Sequence, residues 1–408
     1  MSKVSTIGKA CNITTGKLDA NCAVNGGQYP FFTCSALPAA INNYAFDDDV
    51  ILIAGNNAQG NFHVSRYKGK FNAYQRTYVL TAKPGYSLDY IYYSLKLELK
   101  RLKEHSQGSQ TKFLTMPILT NIVLRNLDYD DQQQIAAVLS SIDQKIEINN
   151  RINAELEAMA KTLYDYWFVQ FDFPFDFAQG APDENVKPYK SSGGKMVYSK
   201  ELKREIPAGW EAGTLFDLGE IVGGSTPSRE NSENFTTSGT AWITPKDLSN
   251  NKRNIFISKG ETDITNDGIK NASLKILPKH TILLSSRAPI GYMAIATNEL
   301  TTNQGFKSFI PNKDYPFSFI FHTVQSKLKI IEQYASGSTF KEISASTLKT
   351  VAIPLPSIYL VNVFHAKVLP VFEQQEKLEQ ENQRLAALRD WLLPMLMNGQ
   401  VQVAETQQ

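Results

Sequence analysis

A single internal repeat constrains the fold of this 408-residue chain more than any other feature of its sequence. When the sequence is displaced along itself by 229 residues, two long segments with the same hydrophobic spacing coincide. Gly108-Ser109 then falls on Gly337-Ser338, and Ile122-Val123-Leu124 falls on Val351-Ala352-Ile353. The repeat therefore predicts a duplicated unit within one chain.

In both segments, the repeated positions alternate at intervals of four and three, which is the heptad spacing of a coiled-coil seam. The predicted seam consists of Leu139, Ile142, Ile146, Asn153, Leu156, Leu163, Val368, Val371, Leu378, Asn382, Leu385 and Leu392. The polar residues fall near the middle of each segment, and such matching suits two helices that cross antiparallel. Two ordinary amphipathic helices, each on its own domain, are the alternative.

About 35 residues at 1.5 Å per residue give each predicted helix a length of roughly 50 Å. Because the second segment contains Pro370 near its start, we expect the helix to end its first turn or to kink there.

The segments that precede the helices combine short strands with turns. The predicted strands are Val50–Ala54, Arg76–Thr81, Thr281–Ser285 and Tyr292–Ala296. Asn266-Asp267-Gly268 is predicted to be a turn, and Asp47-Asp48-Asp49 a solvated turn before a strand rather than a metal cluster. The predicted class is α+β: two mixed globular domains separated by two long antiparallel helices, with a pseudo-two-fold internal repeat.

The same patterns predict the domain boundaries. We expect a first globular domain at 1–130, a helix at 131–170, a linker at 171–204, a second globular domain at 205–357, a helix at 358–399 and a frayed tail at 400–408.

Charge is segregated along the chain although its net value is only +2. Residues 1–130 carry 14 Lys/Arg against 9 Asp/Glu, and residues 186–357 carry 21 against 15, whereas residues 131–185 carry 3 against 10. Basic blocks suit a polyanion and acidic blocks a different partner, with ordinary solvated charge as the alternative. The absence of an 18-residue apolar run and the odd count of three cysteines favour a cytoplasmic protein without a membrane segment.

No catalytic or metal motif occurs in the sequence. Phosphate-binding, dinucleotide-binding and nucleophile-elbow motifs are absent, as is the Asn/Asp-Pro-Pro-Tyr motif of adenine methylation. The five histidines lack the spacing of a metal site. We therefore expect no catalytic residue, no metal and no cofactor in this chain.

The arrangement resembles the specificity subunits of type I restriction-modification enzymes over nearly the whole chain. The resemblance rests on the order of domains and helices, on Ile206-Pro207-Ala208-Gly209-Trp210-Glu211, on Gly337-Ser338-Thr339, on Ile353-Pro354-Leu355-Pro356 and on the helix start Asp131-Gln132-Gln133-Gln134-Ile135. The first half departs from the pattern, since Arg125 stands where the second half has Pro354.

The resemblance implies that each globular domain recognises one half of a split double-stranded DNA target. It also implies two modification (methyltransferase) subunits and two restriction subunits as partners, to which S-adenosylmethionine, ATP and magnesium belong. The recognition subunit of a type II methylating nuclease is an alternative. An enzyme with an unrecognised active site and a structural coiled-coil protein are weaker ones.

DNA recognition needs amides, hydroxyls and cations on loops that reach bases and phosphates. The candidates are Thr15, Lys17, Asn56, Asn57, Gln59, Asn61, Gln75, Arg76, Ser225, Thr226, Arg229, Lys246, Ser286, Arg287, Asn303 and Gln304. For each one alone, a surface turn or a structural amide is an equal alternative. The candidates for partner contact are Glu147, Glu155, Glu157, Glu373, Glu376 and Glu379, with a solvated helix face as the alternative.

Overall fold

The computed structural model describes residues 5–56, 62–105, 113–176, 187–251, 253–287, 289–312, 314–335 and 342–403. The chain forms two compact units. The first unit comprises Met1–Ile148 and Asn382–Gln408, and the second comprises Asn149–Glu381. Each long helix therefore contributes one part to each unit.

The first unit is built mainly from strands. These are β1 (Ser5–Thr6), β2 (Cys11–Thr15), β3 (Tyr29–Phe32), β4 (Ala39–Ile41), β5 (Phe46–Ala54), β6 (Val64–Ala73), β7 (Thr77–Ala82) and β8 (Val123–Leu124). Its helices are α1 (Ile7–Ala10), α2 (Leu88–His105), α3 (Met116–Thr120) and the beginning of α4 (Tyr129–Tyr164), which a π-helical turn extends over Asp165–Val169.

The second unit contains more and shorter strands. These are β9 (Pro174–Phe175), β10 (Lys187–Pro188), β11 (Met196–Ser199), β12 (Arg204–Pro207), β13 (Glu211–Thr214), β14 (Gly219–Gly223), β15 (Phe235–Thr236), β16 (Thr240–Ile243), β17 (Phe256–Ile257), β18 (Thr262–Ile264), β19 (Ile282–Leu284), β20 (Met293–Ala296), β21 (Leu300–Thr302), β22 (Lys307–Pro311) and β23 (Ala352–Leu355). Its helices are α5 (Pro245–Asn250), α6 (Asn266–Asn271), α7 (Phe317–Gln333), α8 (Ala345–Leu348) and most of α9 (Ile358–Asn398).

In the first unit, six strands form one sheet in the order β2-β7-β5-β6-β3-β4. The second unit divides the corresponding strands between a five-stranded sheet, β14-β22-β19-β20-β17, and a four-stranded sheet, β15-β18-β16-β21. The apolar run Val50–Ala54 of β5 is buried, as is Ile282–Leu284 of β19, so each run forms part of its unit's core. All four predicted strands are present, and the predicted α+β class is confirmed.

Each unit contains a backbone hydrogen bond that has an equivalent in the other unit, and the sequence repeat reveals this equivalence only in part. The amide of Ile7 donates to the carbonyl of Ile122 at 3.0 Å, and the amide of Leu215 donates to Val351 at 3.1 Å. These bonds extend the antiparallel pairs β1-β8 and β13-β23, which close the two units in the same way. Ile122 and Val351 are 229 residues apart, but Ile7 and Leu215 are not, because the second copy is longer between these points.

The long helices run antiparallel within each unit. In the first unit, Asp143 of α4 accepts a hydrogen bond from Arg389 of α9 at 2.7 Å, and Leu139 packs near Leu393 and Leu396. In the second unit, the pairs are Asn149 with Glu381 and Asn153 with Gln375, so residue numbers rise along α4 as they fall along α9. The predicted antiparallel pairing of the two helices is therefore confirmed.

None of the predicted seam residues is exposed. Leu139, Ile142, Asn153, Val368 and Leu378 are buried, and the other seam residues are half-buried. The side-chain nitrogen and oxygen of Asn153 have no hydrogen-bond partner among the described residues, although its backbone carbonyl accepts from the side-chain Nε2 of Gln375 at 3.3 Å. A buried, unsatisfied asparagine costs stability and restricts which register the two helices adopt.

Two local expectations are wrong. Asp47-Asp48-Asp49 lies within β5, opposite residues 68–70 of β6, so these exposed aspartates belong to a strand and not to the expected turn. Asn266-Asp267-Gly268 begins α6, because the Thr265 side chain accepts a hydrogen bond from the Gly268 amide and caps the helix.

Of the two outcomes expected at Pro370, the end of the helix does not occur, because α9 continues from Ile358 to Asn398. A proline removes one backbone donor from a helix, and the packing of α9 over its length outweighs that loss.

Candidate nucleic-acid interface

Backbone hydrogen bonds bring three loop segments of the first unit together. The amide of Gln75 donates to the Leu18 carbonyl at 2.9 Å, and the amide of Gly55 donates to the Arg76 carbonyl at 2.8 Å. We call residues 15–18, 55–56 and 74–76 the first loop edge. The predicted candidates Thr15, Lys17, Asn56, Gln75 and Arg76 all lie on it.

The first loop edge carries exposed cations and amides. Lys17, Gln75 and Arg76 are exposed, and Asn56 is half-buried. The Arg76 guanidinium lies 5.9 Å from the centre of the Phe113 ring, which limits its directions without pairing its charge. Such side chains suit phosphates and base edges. The candidates Asn57, Gln59 and Asn61 lie outside the described residues.

The second unit assembles its loops in a similar manner. The amide of Ser225 donates to the Thr302 carbonyl at 3.0 Å, and the amide of Asn303 donates to the Ile243 carbonyl at 3.1 Å. The Thr226 hydroxyl donates to the side-chain carbonyl of Gln304. We call residues 224–229, 242–246 and 303–305 the second loop edge. It brings together the candidates Ser225, Thr226, Arg229, Lys246, Asn303 and Gln304.

An open pocket of about 520 Å³ lies beside the second loop edge. The rings of Phe235 and Trp242 form one part of its wall, and Arg229, Lys246 and Glu261 form another. The Lys246 ammonium lies 2.5 Å from the Glu261 carboxylate, and both side chains are 68% exposed. This contact raises the pKa of Lys246 and lowers the pKa of Glu261. The pocket therefore combines flat apolar surface with charges of both signs.

The start of α5 fixes the position of Lys246. Thr244 is the N-cap residue, Pro245 occupies the first turn, and Asp247 completes a capping box with the Thr244 hydroxyl and amide. This is a standard helix start, and it holds Lys246 on a rigid element beside the pocket.

Two further candidates are placed differently from each other. Arg287 is 47% exposed, but its Nε lies 3.1 Å from Glu342, which Lys307 also approaches at 3.8 Å. If Arg287 contacts DNA, its guanidinium therefore has to leave the Glu342 carboxylate in order to pair with a phosphate. Ser286 is fully buried, so it does not present its hydroxyl to a base edge. Its place directly after a buried strand turns its side chain inward, which corrects its inclusion among the surface candidates.

Among the acidic candidates for partner contact, Glu379 is 3% exposed and faces the interior. Its carboxyl accepts the amides of Ile255 at 2.9 Å and Phe256 at 3.1 Å. Burial is the largest cause that raises the pKa of Glu379 to about 8; the nearby Glu157 and Glu376 act in the same direction, and the two amides act against it. Glu379 therefore ties α9 to the strand β17 and is not available to a partner.

The remaining acidic candidates lie closer to the surface. Glu147, Glu155 and Glu373 are exposed, Glu157 is half-buried beside Gln325, and Glu376 lies 3.8 Å from Lys279.

The sequence did not single out Glu261 or Glu342, the carboxylates that pair with cations near the second loop edge. Each is separated from its partner by 15 or more residues, as in Lys246 with Glu261. No local pattern reveals such a pair, because the fold alone brings the two side chains together.

Neither a metal cluster nor a membrane span is present in the described part of the chain. No group of three or more His, Cys, Asp or Glu side chains is placed to hold a metal ion there. Among the described helices, none combines the length and the apolar character needed to cross a bilayer.

Comparison with known proteins gives a consistent result. A family model described as the type I restriction modification DNA specificity domain matches residues 2–158 and 207–389, which is well over half of the chain. The two matched stretches contain the two loop edges, one in each.

Two curated relatives illustrate the range of similarity. The type I restriction enzyme MjaIX specificity subunit of Methanocaldococcus jannaschii is 47% identical over 169 residues, which covers 40% of this chain and 39% of that protein. The HindI specificity subunit of Haemophilus influenzae is 29% identical over 343 residues, covering 74% of each. The chain thus spans about two fifths of the length of the first relative and three quarters of the second.

One solved structure shares the fold along the whole chain. The S subunit of a type I restriction-modification system from M. genitalium aligns with a TM-score of 0.58 at 15% identity, covering 97% of this chain and 96% of that one. At this identity the likeness concerns the fold alone.

Proposed function

This chain belongs to the type I restriction-modification DNA specificity family, and from that membership we propose that it is the sequence-recognition subunit of a type I restriction-modification complex. In this role it binds a bipartite DNA target and directs methyltransferase and endonuclease subunits to it. The curated relatives described above are specificity subunits, which favours this role over that of a type II methylating nuclease.

One observation carries the proposal: the chain holds two loop edges that share an equivalent backbone hydrogen bond but differ in most of their side chains. The amide of Tyr74 donates to Phe32 at 2.9 Å in the first unit, as Asn303 does to Ile243 at 3.1 Å in the second. A conserved framework with divergent polar side chains supports two recognition surfaces for two different half-sites. The long helices support a fixed gap between them.

The assembly is part of the same proposal. Two modification subunits and two restriction subunits join the chain in the cytoplasm. They supply the reactions, together with S-adenosylmethionine, ATP and magnesium. This chain supplies position and sequence selection and no catalytic group.

Methylation-sensitive sequencing of host DNA, with the chain expressed beside its partner subunits, tests the proposal. We expect methylated bases in two short half-sites separated by a gap of fixed length and variable sequence. A continuous target, or no methylation that depends on this chain, would overturn the proposal.

A second measurement addresses catalysis. The purified chain mixed with DNA, magnesium and S-adenosylmethionine should bind DNA in a salt-dependent manner and neither cleave nor methylate it. Cleavage or methylation by the chain alone would contradict the proposed role.

A further inference from the structure

The same side chain, a glutamine, stands at one equivalent position on each loop edge. Gln75 and Gln304 are 229 residues apart and both are exposed. Gln75 lies in the turn that follows β6, and Gln304 lies in the turn that follows β21.

The backbone around the two glutamines is held by matching hydrogen bonds. The residue before each glutamine donates its amide to the last residue of a parallel neighbouring strand: Tyr74 to Phe32 at 2.9 Å, and Asn303 to Ile243 at 3.1 Å. The two turns therefore begin at equivalent positions of their sheets, and Gln75 and Gln304 occupy equivalent positions relative to the strands that precede them.

A glycine makes the second matching contact. A Cβ on Gly16 would lie 1.9 Å from the Ala73 carbonyl oxygen, and a Cβ on Gly224 would lie 2.2 Å from the Thr302 carbonyl oxygen. In each unit a loop thus crosses the end of the strand at a distance that only glycine permits. This crossing places a second polar loop directly beside the glutamine.

The positions around the glutamines differ between the units. Arg76 follows the first glutamine and Gly305 follows the second, while Lys17 follows the first crossing glycine and Ser225 follows the second. Because the glutamine is the same in both units while its neighbours differ, we expect the two glutamines to have the same function. The differing neighbours account for different half-sites.

Building on the proposed function, we propose that Gln75 and Gln304 are matched base-recognition residues, each contacting an adenine at the corresponding position of its own half-site. A glutamine amide accepts from N6 of adenine and donates to N7, a pair of bonds that no other base offers in the major groove. Each half-site is therefore expected to contain an adenine at the corresponding position.

Thr226 is a positioning residue for Gln304. Its hydroxyl donates to the side-chain carbonyl oxygen of Gln304, and that oxygen keeps a second lone pair for a base. In the first unit, the residue two places after the crossing glycine is Leu18, which has no hydroxyl. The orientation of Gln304 is therefore fixed in advance, and we expect stricter selection of adenine by Gln304 than by Gln75.

The test uses the assembled complex with its methyltransferase subunits. The target of the wild type is first determined by methylation-sensitive sequencing, and then those of Gln75→Ala and Gln304→Ala. Each variant should lose its preference for adenine roughly ten- to hundredfold at one position of one half-site, and the two variants should affect different half-sites. The two relaxed positions should lie equally far from the gap.

Two further variants sharpen the result. Thr226→Val should weaken selection at the same base as Gln304→Ala, and to a smaller extent. Gln28 is an exposed glutamine that immediately precedes β3, and Phe32 is at the other end of that strand. Gln28→Ala is the control and should leave both half-sites unchanged.

The inference is wrong if either glutamine variant keeps both half-sites intact, if both relax the same half-site, or if the relaxed bases are not adenines at corresponding positions. In these outcomes the wild-type bipartite target still supports the proposed function. A wild type without a bipartite target would instead remove the proposed function itself.

Discussion

Replacement of Glu379 by glutamine should remove a pH dependence from the stability of the second unit. The Glu379 carboxyl is 3% exposed and accepts the amides of Ile255 and Phe256. Burial raises its pKa to about 8, compared with an ordinary value of 4.5. The folded chain therefore keeps this proton up to about pH 8, whereas the unfolded chain loses it near pH 4.5.

The sign and size of the effect follow from this difference. Between these two pKa values the folded state binds one more proton than the unfolded state, so a rise in pH favours unfolding. One proton corresponds to a loss of about 1.4 kcal/mol in the free energy of unfolding for each pH unit. Between pH 5 and pH 8, Glu379 thus accounts for a loss of about 4 kcal/mol, since 3 pH units are crossed.

Urea unfolding at pH 5, 6, 7 and 8 measures the effect. Trp167, Trp210 and Trp242 belong to the second unit, so tryptophan fluorescence reports mainly on this part of the chain. Glu379→Gln should be less stable than the wild type at pH 5 by about 1 kcal/mol, because one amide loses its acceptor. The variant should become the more stable of the two by pH 8.

Glu373→Gln is the matched control, because it changes an exposed glutamate on the same helix and should keep the pH dependence of the wild type. If the wild type and Glu379→Gln lose stability in parallel between pH 5 and pH 8, the assignment of the pH dependence to this carboxyl is refuted.

Three other perturbations test the framework. In a double-mutant cycle followed by urea unfolding, Asp143→Asn and Arg389→Met should show a coupling of about 1–2 kcal/mol, since the 2.7 Å ion pair is partly shielded at 21% and 26% exposure. Additive effects would mean that the pair does not join the two helices. Gly224→Ala should lower stability by about 2 kcal/mol or more, because its Cβ would lie 2.2 Å from two carbonyl oxygens, whereas Gly223→Ala, with 3.8 Å to its nearest neighbours, should be tolerated. One heptad inserted into both long helices should change the gap of the DNA target and leave its half-sites intact, as determined by methylation-sensitive sequencing, and an unchanged gap would exclude a role for the helices as the spacer.

The long helices were predictable from the sequence because their hydrophobic spacing is local and repeated. The second was expected at 358–399 and extends from Ile358 to Asn398. The predicted polar seam residue Asn153 lies between the two helices, where its backbone carbonyl accepts a hydrogen bond from the side chain of Gln375 in α9. Heptad spacing specifies which face of a helix is buried, and so it fixed these features without knowledge of the rest of the chain.

The failures concern contacts between segments distant in sequence. Glu379 directly follows the seam residue Leu378, so its heptad position places it towards solvent, but the strand β17 packs over that face and buries it. Ser286 lies in a polar stretch typical of a surface loop, yet it is fully buried. Neither outcome has a local signal, because a different part of the chain covers each side chain.

The distribution of charge allows phosphate contacts to be separated from base contacts. Residues 131–185 carry 3 Lys/Arg against 10 Asp/Glu, so a duplex is repelled along α4, and phosphates are best neutralised at the loop edges. The second loop edge carries the exposed cation Arg229 and the exposed amide of Gln304. A cation that neutralises one phosphate contributes about 0.9 to the slope of log affinity against log salt, whereas an amide contributes nothing. For the proposed complex with methyltransferase subunits, measured between 50 and 200 mM KCl, Arg229→Gln should therefore reduce that slope by about 0.9 for every DNA sequence alike. Gln304→Ala should keep the slope and lose affinity for the cognate sequence alone. A loss of slope in Gln304→Ala, or an unchanged slope in Arg229→Gln, would show that the loop edge does not divide these two tasks between cation and amide.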